Sequence, residues 1–197
     1  MESVRELLLD EMKDLYDAEK QLVKALPKVV KASSNADLRQ AFENHLEETR
    51  GHVARLERAF EMMGEKAKSK PCAAMKGLVE EAGEATEGDM DESLTDSAII
   101  CAAQKVEHYE IAGYGTLAAW AKSLGLDDVA GLLEETLEEE KAADKKLSEV
   151  ADEILAEAAS AEGSSQEDEE DEETTVSPRK KVASKGSNGQ SSRHRAG

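Results

Sequence analysis

Apolar residues recur along this chain at the three-, four- and seven-residue steps of helices with one oily face. The first such pattern spans residues 2–33, with Leu8, Met12, Leu15, Leu22 and Leu26 in register. The second spans 37–64, through Leu38, Phe42, Val53, Leu56 and Phe60. A third covers 95–123, carrying Ala103, Val106, Gly113 and Leu117, and a fourth begins at Asp127 or Asp128 and runs to about residue 159 through Leu133, Leu147 and Ile154. Helix punctuation falls between them. Ser33-Ser34-Asn35 breaks the first pattern, Asn35 or Asp37 can cap the second, Thr95 or Asp96 can open the third, and Gly64 and Gly125 are stops. Pro27 predicts a kink near Val23, whose carbonyl its ring opposes.

The connection from 65 to 93 is too long for a tight turn. Pro71 opens a short helix within it, from 72 to about 85, with Met75, Leu78, Val79 and Ala82 on one side. A connection of that length crosses the bundle and leaves the second and third long helices parallel. The expected fold is therefore all-α: a four-helix bundle over residues 1–160 with a long crossover that contains a short helix.

Each oily stripe is interrupted at mid-length by a charge. The fourth reads Leu133, Glu140, Leu147, Ile154 at steps of seven, which return to nearly the same face. The second carries His45 and His52 with Glu48 between them, the first carries Glu19 between Leu15 and Leu22, and the third carries Glu110 between Val106 and Gly113. A carboxylate buried in such a seam is costly unless it is paired or binds a metal. In dimetal bundles two helices each give one Glu, and the other two each give a Glu followed by a His three residues later. Here the second helix offers Glu48 and His52 at a spacing of four, and the fourth offers Glu140 and Asp144, also at four. Glu19 and Glu110 are the single acids, with Glu107 one turn before Glu110. Oxygen and imidazole donors in such a mixture suit iron or manganese.

Each residue also has a plainer reading. Glu140 ends the acidic run Glu138-Glu139-Glu140, usually a solvated face, although its seam position turns it inward. Asp144 reads equally as a partner of Lys141 or Lys145, and Glu48 as a partner of Arg50 or Arg55. His45 and His52 read either as ligands or as core or interface histidines bonded to carboxylates. Tyr16, Tyr109 and Tyr114 can donate hydroxyl hydrogen bonds near a site or simply pack. Cys72 and Cys101 read as small apolar residues of helices.

Aligning the chain on itself with a shift of 91 pairs Glu19 with Glu110, Glu48 with Glu139, and Leu56 with Leu147. The two helical hairpins thus look like a weak repeat about a pseudo-twofold axis. The formal charge of -19 gives a surface that repels nucleic acid and anionic lipid. No apolar run approaches the roughly 20 residues of a membrane helix, and the charged N-terminus is unlike a signal peptide, so the expected address is the cytoplasm. Residues 161–197 change character, from an acidic block at 167–173 to basic blocks at Arg179-Lys180-Lys181 and Arg193-His194-Arg195. Their composition predicts a disordered acidic-then-basic tail, whose basic end is the one part suited to nucleic acid.

The segments LYDAEKQLVKALPKV (15–29), HLEETRGHVARLE (45–57), KPCAAMKGLVEEA (70–82), QKVEHYEIAGYGTL (104–117) and EETLEEEKAADKKLSE (134–149) resemble the YciE/YciF-like family of bacterial stress-response proteins. The resemblance spans residues 2–158 and leaves the tail outside. It implies a ferritin-like bundle, a homodimer, expression under stress, and a di-iron or di-manganese centre akin to those of rubrerythrin and ferritin. The site it implies comprises Glu19, Glu48, Glu110 and Glu140, helped by Glu107, His52 and Asp144. Peroxide reduction or ferrous-iron oxidation is the chemistry expected of such a centre. The alternative is a non-enzymatic dimeric stress or interaction module with a metal-free buried polar core.

Overall fold

In a computed structural model, residues 3–87 and 90–173 are described, with side chains to 156. They form α1 (Val4–Ala32), α2 (Ala36–Met62), α3 (Ala73–Glu87), α4 (Glu92–Ser123) and α5 (Asp127–Glu173), and no strand is present among the described residues. The bundle unit is Met1–Ala159, and a second unit starts at Ser160. The basic blocks expected to end the tail lie outside the described residues. From Ser160 to Glu173 the backbone is helical, beyond the stop expected near residue 159. The sequence there contains no proline before Pro178 and is rich in Glu, a good helix former that outweighs Gly163.

The helix ends follow from local chemistry. Ser3 Oγ accepts from the Glu6 amide to cap α1. Asn35, not Asp37, caps α2, its side chain accepting from the amides of Asp37 and Leu38. Gly64 and Gly125 stop α2 and α4 at φ 73° and 70°. Around each glycine the next amide reaches back to the carbonyl five residues earlier, Glu65 to Phe60 and Leu126 to Ala121. That bond needs a left-handed residue, which glycine adopts without penalty. Pro27 does not end α1, which runs on to Ala32; the ring sits on the exposed face, where water can take up the Val23 carbonyl it leaves unbonded.

Asp96 departs from expectation. α4 starts earlier, with Asp91 at its N-cap, and Asp96 lies a turn inside the helix, only 2% exposed. Its two oxygens accept from the amides of Ser34 (2.9 Å) and Asn35 (2.7 Å), so it pins the α1–α2 turn to α4. That contact and the approach of His45 to Glu107 share nearly the same offset along the chain, so α2 and α4 run parallel. Tyr16 against Glu57 makes α1 antiparallel to α2, and Gln104 against Asp144 makes α4 antiparallel to α5. The up-down-down-up order requires the long crossover that the sequence predicted. The crossover is tied to α1: Lys70 Nζ donates to Asp10 (2.7 Å), the Cys72 amide to Asp17 (2.9 Å), and Gln21 to the Cys72 carbonyl (3.1 Å).

The bundle buries two apolar layers. One contains Leu8, Met12, Leu15, Phe60, Leu117 and Leu133. The other contains Leu22, Leu38, Phe42, Ile99, Leu147 and Ile154. Along every long helix the charged residue sits where one layer gives way to the other: Glu19 between Leu15 and Leu22, His45 and His52 between Phe42 and Leu56, Glu140 between Leu133 and Leu147. Packing brings α1 and α4 close there, because a Cβ on Gly113 would lie 3.0 Å from Leu15 Cδ2. Cys72 is buried in the second layer, whereas Cys101 is exposed; both are free thiols.

Candidate metal centre

Glu19 from α1, His45 and His52 from α2, Glu107 and Glu110 from α4, and Glu140 from α5 converge between the two layers. Glu19, His52, Glu110 and Glu140 are fully buried, and Glu107 and His45 are 2% and 6% exposed. Their donor atoms fall into two overlapping groups. His45, Glu107, Glu110 and Glu140 form one, and Glu19, His52 and Glu140 the other; within each, one atom per residue lies within 4.8 Å of the others. Glu140 belongs to both.

The separations are those of charge attraction more than of hydrogen bonding. His45 Nε2 stands 3.4 Å from Glu107 Oε1 and 3.9 Å from Glu140 Oε2. His52 Nδ1 stands 3.4 Å from Glu19 Oε1 and 3.0 Å from Glu140 Oε1, the latter close but without hydrogen-bond geometry. Glu19 is otherwise met by the buried Tyr114 hydroxyl, which donates to Oε1. Both oxygens of Glu110 and of Glu140, together with Glu19 Oε2 and Glu107 Oε2, lack a hydrogen-bond partner. Buried carboxylate oxygens left in that state cost several kcal/mol. A metal ion is the ordinary remedy, and these donors fit one: carboxylate oxygen and imidazole nitrogen are the set that iron and manganese accept.

The outer nitrogens of both histidines face carboxylates. His52 Nε2 lies 2.9 Å from Glu139 Oε2, and Glu139 is gripped by the fork of Arg55 at 2.6 and 2.8 Å. His45 Nδ1 lies 3.5 Å from Glu48 Oε2. A carboxylate on the outer nitrogen fixes which ring nitrogen carries the proton and turns the other inward, an arrangement common among metal-binding histidines.

Protonation follows the same geometry. Burial pushes Glu110 well above the ordinary carboxylate range, helped by the charges of Glu19 and Glu140. Burial likewise raises Glu107, although His45 opposes it. Burial disfavours the charged histidines, but the surrounding acids outweigh it and lift His45 to about 9 and His52 to about 10. Burial also works to raise Glu140, yet His52 and His45 together hold it below its ordinary value. Burial thus favours the proton-bearing forms of Glu107 and Glu110, and the surrounding acids favour those of both imidazoles.

Of the residues expected at the site, Glu19, His52, Glu107, Glu110 and Glu140 are brought together. Two are placed elsewhere. The Glu48 side chain is 45% exposed and touches the centre only through His45, because it is one position, about 100° of helix, away from the inward-facing Thr49. Asp144 is 24% exposed on the α4–α5 seam, where it accepts from Gln104 (3.2 Å) and faces the exposed His108. His45 joins the cluster in their stead. Its seven-residue step to His52 was the signal for it. The expected Glu-x-x-His register falls on Thr49-x-x-His52 and on Glu140-x-x-Ala143. One Glu and one His of the usual set are therefore replaced, and Glu107 and His45 supply the same two donor types from one turn away. Of the tyrosines, Tyr114 reaches the centre, while Tyr16 donates to Glu57 and Tyr109 to Asp14.

Fold and centre together describe a helical bundle organised around a buried acid–histidine layer. The chain belongs to the family described as "Domain of unknown function (DUF892)", which matches residues 3–160. Protein YciF of Escherichia coli K12 is 49% identical over 152 residues, covering 77% of this chain and 92% of that protein. The crystal structure of the E. coli stress protein YciF superposes with a TM-score of 0.77 at 48% identity, over 79% of this chain and 99% of that one. YcfI of Rhodopseudomonas palustris gives a TM-score of 0.72 at 47% identity, over 75% and 94%. No helix among the described residues is long and apolar enough to cross a membrane.

Proposed function

We propose that this chain is a cytoplasmic, homodimeric stress protein that binds a pair of iron or manganese ions within its bundle and turns over peroxide or oxygen there. The observation that carries the reading is Glu140, whose two buried oxygens lack a hydrogen-bond partner and face two donor groups at once. Glu19 and His52 would hold one ion and His45, Glu107 and Glu110 the other, with Glu140 available to both. Such a pair of ions would supply redox chemistry, passing two electrons to peroxide and recovering them from an external reductant or from further ferrous iron, which is oxidised in turn, while Tyr114, Glu139 and Arg55 hold the ligands in orientation. Similarity to the E. coli stress protein supports the physiological setting.

The test is metal content per chain by mass spectrometry, after anaerobic loading with ferrous iron or Mn(II) and desalting. The expected result is about two ions in the wild type and loss of at least one in Glu140→Ala. Peroxide decay unchanged by the loaded protein would remove the redox part of the reading. Size-exclusion chromatography with light scattering checks the dimer. The second reading, a metal-free module, draws on the ion pairs that already satisfy part of the cluster, His52–Glu139–Arg55 above all. It expects no retained metal, and a folded Glu140→Gln protein with little change in stability.

A further inference from the structure

A cavity of about 150 Å³ lies between α2 and α5 and ends on His45 and Glu107, two members of the larger donor group. Its existence follows from the sequence. Ala143 stands three residues after Glu140, where the dimetal register would place an imidazole. The methyl group that replaces the ring lines the cavity and leaves the space beside Glu107 unfilled by protein. At the inner end Glu107 lines the cavity beside His45 and is 2% exposed, and its Oε2 is buried without a hydrogen-bond partner. The walls nearest the floor are apolar, from Phe42 and Leu147. The remaining lining residues include Asn44, Glu48 and Lys146, all exposed, and among the lining residues Lys146 is the fixed cation.

We infer that this cavity is the seat of an exogenous ligand: a small molecule with an oxygen-donor head and a short apolar tail. The inference rests on the metal reading and deepens it. The head would sit beside Ala143 against His45 and Glu107, next to the ion that those residues, Glu110 and Glu140 would hold, with the tail against Phe42 and Leu147. A cavity of this volume is several times larger than hydrogen peroxide needs, and its apolar walls would give an aqueous oxidant alone no reason to bind. A short-chain carboxylate and a short-chain alkyl hydroperoxide share the required chemistry.

The experiment uses the full chain loaded with Mn(II), with metal content measured first. Water-proton relaxation by the bound Mn(II) is then followed as butyrate, acetate, tert-butyl hydroperoxide or hydrogen peroxide is added; a ligand that displaces bound water lowers the relaxation. The expected result is saturable loss of relaxation with butyrate at concentrations about tenfold below those acetate needs, the contribution of two buried CH₂ groups. Ala143→Leu, which fills the cavity from α5, and Ala41→Leu, which fills it from α2, should keep the metal and lose the butyrate response. If tert-butyl hydroperoxide also acts below hydrogen peroxide, the class extends to alkyl peroxides; if only butyrate does, the ligand is a carboxylate. Retained metal with no butyrate effect, equal effects of butyrate and acetate, or an unchanged response in the filled variant that folds would overturn this inference alone. No retained metal in the wild type would overturn the metal reading and this inference with it.

Discussion

The pair Glu48 and Glu139 shows what a single residue contributes to this centre. The two correspond under the shift of 91 and play corresponding parts, each facing the outer nitrogen of a site histidine. They are not equally held. Glu139 accepts both arms of Arg55, which with His52 outweigh partial burial and keep its carboxyl below the usual range. Glu48 is half exposed and sits 3.5 Å from its imidazole. Glu139→Gln should therefore weaken metal binding by about 10- to 100-fold, the usual effect of losing such a partner. Glu48→Gln should weaken it by less, and competition titration with a chelating dye would rank the two. An equal loss would mean that the Arg55 clamp has no bearing on the imidazole. The same pair marks the limit of what was legible. A charge within a stripe of leucines reveals a buried polar layer, as with Glu19, Glu110 and Glu140. It does not tell a ligand from the carboxylate behind the ligand, since adjacent residues differ by one helical step. The sequence leaves both Glu48 and His45 open as ligands, and only the rotation of α2 about its axis separates them, turning His45 inward and Glu48 toward the surface.

At the scale of elements, the helices were readable because their stripes, caps and glycine stops all agree locally. The anchoring contacts were not, because they join residues far apart in the chain. Asp96 looked like a helix cap by its place in the sequence, yet it reaches across to the α1–α2 turn and satisfies two amides there. Asp96→Ala would leave those amides, on the partly exposed Ser34-Asn35 turn, without their buried carboxylate partner. The expected cost is about 1–3 kcal/mol, read as a lower urea midpoint with an unchanged slope; Thr95→Ala, at the other residue thought to cap α4, should cost less. Gly113 gives a second measure of element packing. Its missing Cβ would press on Leu15 at 3.0 and 3.2 Å, so Gly113→Val should force α1 and α4 apart. A loss of about 1–3 kcal/mol is expected from such overpacking, together with weaker metal binding, because Glu19 and Glu110 lie one turn from the point of contact. Weaker binding without a stability loss would show that the centre senses something other than the spacing of these helices.

For the whole molecule the governing question is how a bundle tolerates so many buried ionisable groups, and the sign of its pH dependence answers it. Glu107 and Glu110 have folded-state pKa values above the ordinary 4.5, and burial is the main cause. The native state thus keeps protons that the unfolded chain sheds, and the stability they contribute is lost as pH rises above about 4.5. His45 and His52, lifted from 6.5 to about 9 and about 10, act in the same direction over a higher window: their contribution is complete below 6.5 and disappears as pH passes their folded values. Glu139 and Glu140, held low, oppose this only below pH 4.5, where their contribution falls away as they are protonated. The metal-free protein should therefore show a Tm that declines from pH 6 to pH 9. Metal binding works in the opposite sense, because ions displace the stored protons, and raising the pH removes that competition. The difference in Tm between protein loaded with Mn(II) and protein treated with chelator should widen steadily across the same range. Circular dichroism melts at three pH values, each with metal and with chelator, would measure both trends. A constant difference would mean that the ions bind away from these proton-bearing residues, and a metal-free Tm that rises with pH would mean that the acids are ionised in the empty bundle and held by contacts other than the histidines.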